Sequence, residues 1–321
     1  GFWEVVTNLR TILRNIDHCK GDITAYQPDA LIFIDYPGFN MRIAKWAKQQ
    51  GIPTHYYISP QIWAWKENRI KAIRRDVDAM YVILPFEKDF YEGKHQYPVH
   101  FVGHPLLDAI AARREVSMEV FKRENGLDER PIIALLPGSR KQEIAKMLSV
   151  MLSVVGSYHP YQFVIAGAPS LGYDFYRQFI REENVHFVSG KTYDLLSHAH
   201  AALVTSGTAT LETALFRVPE VVCYRGNWIS YQIAKRVISL KYISLVNLIM
   251  DAPVVTELIQ GELNTRNLKV ELDKLLDPAY RDKLQRDYQA LRERLGNEGA
   301  SRRTAQAIYD SLQDKRHNDR S

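Results

Sequence analysis

The stretch Pro137-Gly138-Ser139-Arg140 lies between an apolar run, Ile132 to Leu136, and a helix-like pattern opening at Gln142-Glu143-Ile144. A strand that breaks into a tight turn and then a helix aims free backbone N–H groups and the positive helix end at one point, and Arg140 adds a planar fork of donors. A diphosphate suits that arrangement. The same residues also admit a purely structural role, in which Ser139 caps the helix, Gln142 completes a capping box and Arg140 is solvated. A second turn of this kind is Thr205-Ser206-Gly207-Thr208-Ala209-Thr210-Leu211-Glu212. Small hydroxyl residues around a glycine let a ligand approach the backbone, so Ser206, Gly207 and Thr208 can hold phosphate oxygens. Glu212 falls one turn into the following helix, three residues after Ala209, and so is no capping-box partner. It is placed to accept hydrogen bonds from ribose hydroxyls, against the alternative of a Glu favoured only by the helix dipole.

A carboxylate that could take a proton from an attacking hydroxyl stands in Asp35-Tyr36-Pro37-Gly38-Phe39-Asn40, directly after an apolar strand. A lone Asp there also serves as a turn or capping residue. His104, before Pro105, is an alternative base or a structural hydrogen bonder. The turn Ser59-Pro60-Gln61-Ile62-Trp63-Ala64-Trp65 leads into Lys66, Arg69, Lys71, Arg74 and Arg75. Aromatics beside a basic helix suit a bilayer interface or an acylated, phosphorylated substrate, and equally a solvated basic helix above two buried Trp residues. Asp76-Val77-Asp78 has the form of a divalent-metal motif, but it precedes a strand, away from the edge where ligands gather, and is set aside.

The elements that must position these groups alternate. A helix over 1–19 is followed by strands at 30–34, 54–58, 79–84 and 99–105, with helices at 40–50 and 66–75 between them. The polar stretch 113–130 suits a domain boundary. Beyond it come strands at 132–136, 162–166, 185–188, 201–205 and 221–224, and helices from 142, over 173–183 and 193–197, and from 209. The region after Arg266 is helical and charged, and 314–321 reads as a frayed polar tail. Strands alternating with helices predict α/β architecture with two doubly wound parallel sheets. The predicted domains are 1–112 and 113–296, with a C-terminal helix and tail at 297–321.

The 321 residues are 46% hydrophobic and 25% charged, as in a soluble globular chain large enough for two cores. A net charge of +5 fits phosphate ligands or an anionic bilayer. Without zinc-finger spacing, an RRM-like motif or a basic N-terminal tail, no nucleic-acid partner is expected. Cys19 and Cys223 give no disulfide framework, and no apolar run reaches the length of a transmembrane span.

Six motifs in order resemble the signature series of bacterial lipid-A-disaccharide synthases. They are Ile34-Asp35-Tyr36-Pro37-Gly38-Phe39-Asn40, Ser59-Pro60-Gln61-Ile62-Trp63-Ala64-Trp65, Leu84-Pro85-Phe86-Glu87, Val102-Gly103-His104-Pro105, Leu135-Leu136-Pro137-Gly138-Ser139-Arg140, and Ser206-Gly207-Thr208-Ala209-Thr210-Leu211-Glu212. The resemblance implies a GT-B glycosyltransferase whose two Rossmann-like halves face a cleft. The implied reaction moves 2,3-diacylglucosamine from UDP-2,3-diacylglucosamine to 2,3-diacylglucosamine 1-phosphate, with inversion, giving a β-1,6-linked disaccharide and UDP. It implies no cofactor and no metal, Asp35 and Arg140 as catalytic residues, and Gly138, Ser139, Ser206, Gly207, Thr208, Glu212 and Asn247 on the nucleotide. Trp63, Trp65, Lys66 and Arg69 would then meet the acceptor or the inner-membrane surface of a cytoplasmic, peripherally bound protein. A homodimer stays open. The family's first strand and Gly-Glu-x-Ser-Gly-Asp loop are not in this chain, which opens without Met, so the first half is expected to be incomplete. Two other readings stay open, a non-catalytic UDP-sugar-binding protein and a UDP-sugar 2-epimerase.

Overall fold

The computed structural model describes residues 2–226 and 241–318, with side chains from 11 to 226 and from 241 to 314. The side chains of Val5, Val6 and Leu9, whose spacing predicted the opening helix, fall outside those limits, as do residues 319–321 of the expected tail. The chain divides into two compact units, Gly1–Asp108 with Leu295–Ser321, and Ala109–Arg294.

The first unit opens on α1 (Phe2–Tyr26), then β1 (Leu31–Ile34), α2 (Pro37–Gln49), β2 (Thr54–Tyr57), α3 (Ile70–Asp76), β3 (Ala79–Val82), α4 (Pro85–Lys88), β4 (His100–Phe101) and α5 (Pro105–Ala111). Its four strands lie parallel in the order β1-β2-β3-β4. Phe33, Tyr56, Met80 and Val82 meet Ile43, Ala44 and Ile73 from the helices, with Ile16 of α1, in one apolar core. The last strand is shorter than the 99–105 run predicted, because Gly103 turns at φ +87° and Pro105 starts a helix.

The second unit runs α6 (Met118–Glu124), β5 (Ile132–Leu136), α7 (Lys141–Leu152), β6 (Gln162–Gly167), α8 (Tyr173–Arg177), β7 (Val185–Ser189), α9 (Thr192–His198), β8 (Ala199–Thr205), α10 (Thr208–Leu215), β9 (Glu220–Tyr224), α11 (Leu245–Met250), β10 (Thr256–Ile259), α12 (Thr265–Leu276) and α13 (Pro278–Arg294). Its six parallel strands take the order β10-β9-β8-β5-β6-β7. The central β5 and β6 are buried at every residue, as a sheet covered on both faces requires. Helix α8 ends at Arg177, not at 183: the N–H groups of Phe179 and Ile180 close tight turns on Tyr176 and Arg177, and the charged run after them stays exposed or half-exposed. The polar stretch 113–130, expected to suit a domain boundary, carries α6, whose Phe121 is buried. Strand β10 was not anticipated, because its alternation is interrupted by Glu257, a carboxylate bound to the N–H groups of Ile243 and Ser244.

The final helix, α14 (Ala300–Asn318), continues through most of the segment expected to fray and belongs to the first unit. The Arg303 guanidinium donates to the Val102 carbonyl at 3.0 and 2.7 Å, and the Ser301 and Tyr57 hydroxyls lie 3.2 Å apart. Among the described residues no helix is long and apolar enough to cross a membrane.

Candidate functional site

In the second sheet the chain winds outward from β5 to β6 and β7, then returns to build β8, β9 and β10 on the other side. Where the winding reverses, the loops after neighbouring strands diverge and leave a crevice at the carboxyl edge. A pocket of about 510 Å³ occupies that place, within the size range of small-molecule sites. The turn after β5 supplies Gly138, Ser139 and Arg140, the loop after β6 supplies Gly167 and Ala168, and the turn after β8 supplies Thr205 to Thr208 with Glu212. Of the seven residues predicted for the nucleotide, six line this one pocket, and Arg140 joins them.

The local geometry follows from the residue types. Gly138 sits at φ +113° and Gly207 at φ +146°, where a side chain is strained, so both turns stay open at the backbone. The capping box imagined for Ser139 and Gln142 does not form. Arg140 is the N-cap of α7 without a side-chain bond, and Glu143 reaches back so that the Ser139 N–H donates to its Oε2 at 3.4 Å. That carboxylate also lies where a Cβ on Gly138 would collide with it. An acidic group thus rests in the turn best suited to a phosphate, held by the positive helix end. Glu143 escaped the sequence reading because the capping template fixed on Gln142, one residue earlier.

At the other wall, Glu212 accepts a hydrogen bond of 2.9 Å from the Tyr193 hydroxyl of α9. Burial pushes the Glu212 carboxyl up, and the Tyr193 hydrogen bond opposes the rise. The Ser206 hydroxyl donates to the Ile243 carbonyl at 3.4 Å, and Thr205 Oγ1, buried beside the pocket, has no partner among the described residues. Asn247 does not line the pocket. Its amide donates to the Val255 carbonyl and Glu257 Oε1 and accepts from the Val255 N–H, all within 3.0 Å. Asn247 fixes Glu257, which binds the backbone at Ile243 and Ser244, the carbonyl of the former receiving Ser206.

In the first unit, Asp35 follows β1 with its side chain exposed. Asp35 and Tyr36 stand at φ +48° and +46°, two successive non-glycine residues in the left-handed region. Each such residue costs about 1–2 kcal/mol. The Tyr56 hydroxyl and the Asn40 amide both donate to the Asp35 carbonyl at 2.7 Å. The Asp35 side chain does not cap α2, whose N-cap is Tyr36 with no side-chain bond, whereas its left-handed backbone is that of a turn residue, a conformation Asp tolerates better than most.

Trp65 is 46% exposed, with Lys66 Nζ 4.3 Å and the Arg69 guanidinium 5.6 Å from its ring, as a surface cation–aromatic cluster. Trp63 is different. Its indole N–H donates to Glu87 Oε1 at 3.1 Å, and its ring packs edge-on against Phe86. The buried Glu87 also accepts from the Ser59 hydroxyl and from the N–H groups of Ile83 and Leu84. Burial raises its carboxyl and those four donors oppose the rise. This carboxylate pins the 59–65 turn, a role that four letters of sequence, Leu-Pro-Phe-Glu, did not disclose. His104 is buried, its Nδ1 accepting from the Leu106 N–H at 3.1 Å, and burial pushes it down to about 4. A neutral imidazole so enclosed is a loop hydrogen bonder. Asp76 pairs with the Arg75 guanidinium and Asp78 with Lys48 and the Thr54 N–H. Among the described residues no cluster of three or more His, Cys, Asp or Glu could hold a metal ion.

The family model for lipid-A-disaccharide synthetase matches residues 1–310. The lipid-A-disaccharide synthase of Syntrophus aciditrophicus is 41% identical over 316 residues, covering 95% of this chain and 81% of that protein. That of Geobacter metallireducens is 38% identical, covering 98% and 84%. Among solved structures, a UDP-GlcNAc 2-epimerase from Neisseria meningitidis bound to UDP-GlcNAc superposes with a TM-score of 0.64 at 14% identity, covering 93% of this chain and 81% of that one. The calicheamicin glycosyltransferase CalG4 gives 0.57 at 14% identity, covering 94% and 78%. These structural likenesses carry the fold alone, two Rossmann-like units of the GT-B class. With the family model spanning nearly the whole sequence, the chain belongs to the lipid-A-disaccharide synthetase family.

Proposed function

We propose that this chain joins two acylated glucosamines, transferring 2,3-diacylglucosamine from its UDP derivative to 2,3-diacylglucosamine 1-phosphate. The observation that carries the reading is the convergence of Gly138, Ser139, Arg140, Ser206, Gly207, Thr208 and Glu212 on one pocket at the switch point of the second sheet. In this reading the N–H groups of both turns and the Arg140 fork hold the diphosphate, and Glu212 receives the ribose hydroxyls. As the acceptor's 6-oxygen bonds to the anomeric carbon, the bond from that carbon to the diphosphate breaks and negative charge grows on UDP. Arg140 and the helix ends stabilise that charge. Asp35 accepts the proton of the 6-hydroxyl, a poor nucleophile at neutral pH. Attack on the face opposite the departing UDP gives inversion and the β-1,6 link. The Trp65, Lys66 and Arg69 cluster supports contact with an anionic bilayer or with the lipid substrates.

The test is formation of disaccharide 1-phosphate from the two purified substrates, run with wild type, Asp35→Asn and Arg140→Ala after each is shown to be folded. Turnover is expected in wild type, and a loss of at least about 100-fold in each variant. UDP binding without product, with the upstream strand and loop supplied, would favour a binding protein. Conversion of the UDP-sugar with no acceptor present would favour an epimerase.

A further inference from the structure

Glu212 is a straight-chain carboxylate on the first turns of an eight-residue helix. Left alone such a side chain samples several rotamers. Here one oxygen is fixed by the Tyr193 hydroxyl at 2.9 Å, from a different helix. Tyr193 is itself held from two sides. It follows Thr192, which lines the pocket and begins α9, and its ring packs 5.2 Å from that of Phe216 at the end of α10. The Phe216 ring in turn carries the Arg113 guanidinium 4.9 Å from its centroid. The phenol therefore reaches Glu212 as a strut braced at the C-terminal end of α10, and among the described residues no hydrogen bond engages the second carboxylate oxygen, which is left for an incoming hydroxyl.

We propose that Tyr193 is a specificity-determining positioning residue, which locks Glu212 in the one orientation that recognises a ribonucleotide and rejects a nucleotide lacking the ribose hydroxyls. This rests on the reading that the pocket takes UDP with its ribose at Glu212. A site built to receive a hydroxyl penalises its absence, because a buried acceptor is then unpaired, but only if the acceptor cannot turn away to another partner. The phenol supplies that constraint. It also opposes the effect of burial on the carboxyl, since a donor to the ionised form favours it. Burial and the neighbouring carboxylate hold the Tyr193 phenol well above its ordinary value, so the hydroxyl stays a donor throughout the working range.

The experiment measures binding of UDP and of 2′,3′-dideoxy-UDP to wild type, Tyr193→Phe and Glu212→Gln by calorimetry, with melting curves for all three. Tyr193→Phe keeps the ring contact with Phe216 and removes only the hydroxyl. Wild type is expected to prefer UDP by about tenfold or more, and both variants to lose most of that preference while binding the dideoxy nucleotide as wild type does. In Tyr193→Phe the pH below which UDP affinity falls should also move upward, a change that simple loss of packing would not cause. Were Glu212→Gln to erase the preference and Tyr193→Phe to retain it, the role given to Tyr193 would be overturned while the ribose site stood. A wild type indifferent to the hydroxyls, or one that binds no UDP, would overturn the reading of the pocket itself, and the positioning role with it.

Discussion

The side-chain amide of Asn40 donates to the carbonyl oxygens of Asp35 and Ile34, at 2.7 and 3.2 Å, and so ties the first turn of α2 to the end of β1. The two carbonyls belong to the residues flanking the point where the chain enters its left-handed pair. A strained backbone persists only where its surroundings over-determine it. Asn40→Ala is expected to relax the Asp35–Tyr36 turn, lowering turnover by about tenfold or more while costing only about 1 kcal/mol of stability. Steady-state kinetics beside a denaturant titration read the two effects separately; an equal loss in both would make Asn40 a plain structural bond.

Glu143 rests where a diphosphate would contact the Ser139 N–H. Two like charges about 4 Å apart repel by roughly 4 kcal/mol at an effective dielectric of 20, and less at a half-exposed site. Glu143→Gln keeps the shape and removes the charge. The expected result is UDP binding tightened about tenfold, with slower product release. Calorimetry checks it, and weaker binding would show that the carboxylate instead shapes the turn.

His104 is held neutral, at about 4 against an ordinary 6.5. Between those values the unfolded chain binds more protons than the native one, so stability rises with pH through the window and is complete above it. Acidification from pH 7 to 4 should cost roughly 3 kcal/mol through this group alone. His104→Asn, which keeps an acceptor for the Leu106 N–H, is expected to flatten that slope in denaturant midpoints measured across the range.

Glu220 is completely buried, with no partner for either carboxyl oxygen among the described residues, and burial holds it well above its ordinary value. Here the native chain binds the extra proton, so its contribution to stability declines as pH rises from the ordinary Glu range toward the raised value. Glu220→Gln should therefore melt higher than wild type at pH 8 and approach it at pH 5. A variant that melts lower at both would point to a hydrogen bond made by the acid.

Charge beside an exposed indole favours an anionic surface. Replacing Lys66 and Arg69 together by Gln is expected to weaken binding to vesicles containing anionic lipid by about tenfold or more, each basic residue contributing near 1 kcal/mol. Sedimentation with anionic and with zwitterionic vesicles distinguishes this from apolar insertion of Trp65.

Residue order alone determined the strand–turn–helix units around Arg140, Glu212 and Asp35, because each is written locally: an apolar run, a breaker, and helical spacing within about ten residues. It also determined, through β–α alternation, that the sheets are parallel, with the loops that line the pocket at the carboxyl edge of the second. What tertiary structure decided is which side chains find partners. Tyr193 and Glu212 lie 19 positions apart, and Asn247 does not line the pocket but binds Glu257, on a strand that was not foreseen. Trp63 and Trp65 are two residues apart in the same turn, yet one is bound to a buried Glu87 and the other meets solvent. Periodicity reports the face a residue occupies on its own element; the packing of distant elements sets what that face meets, and hence which polar group is left to receive a ligand.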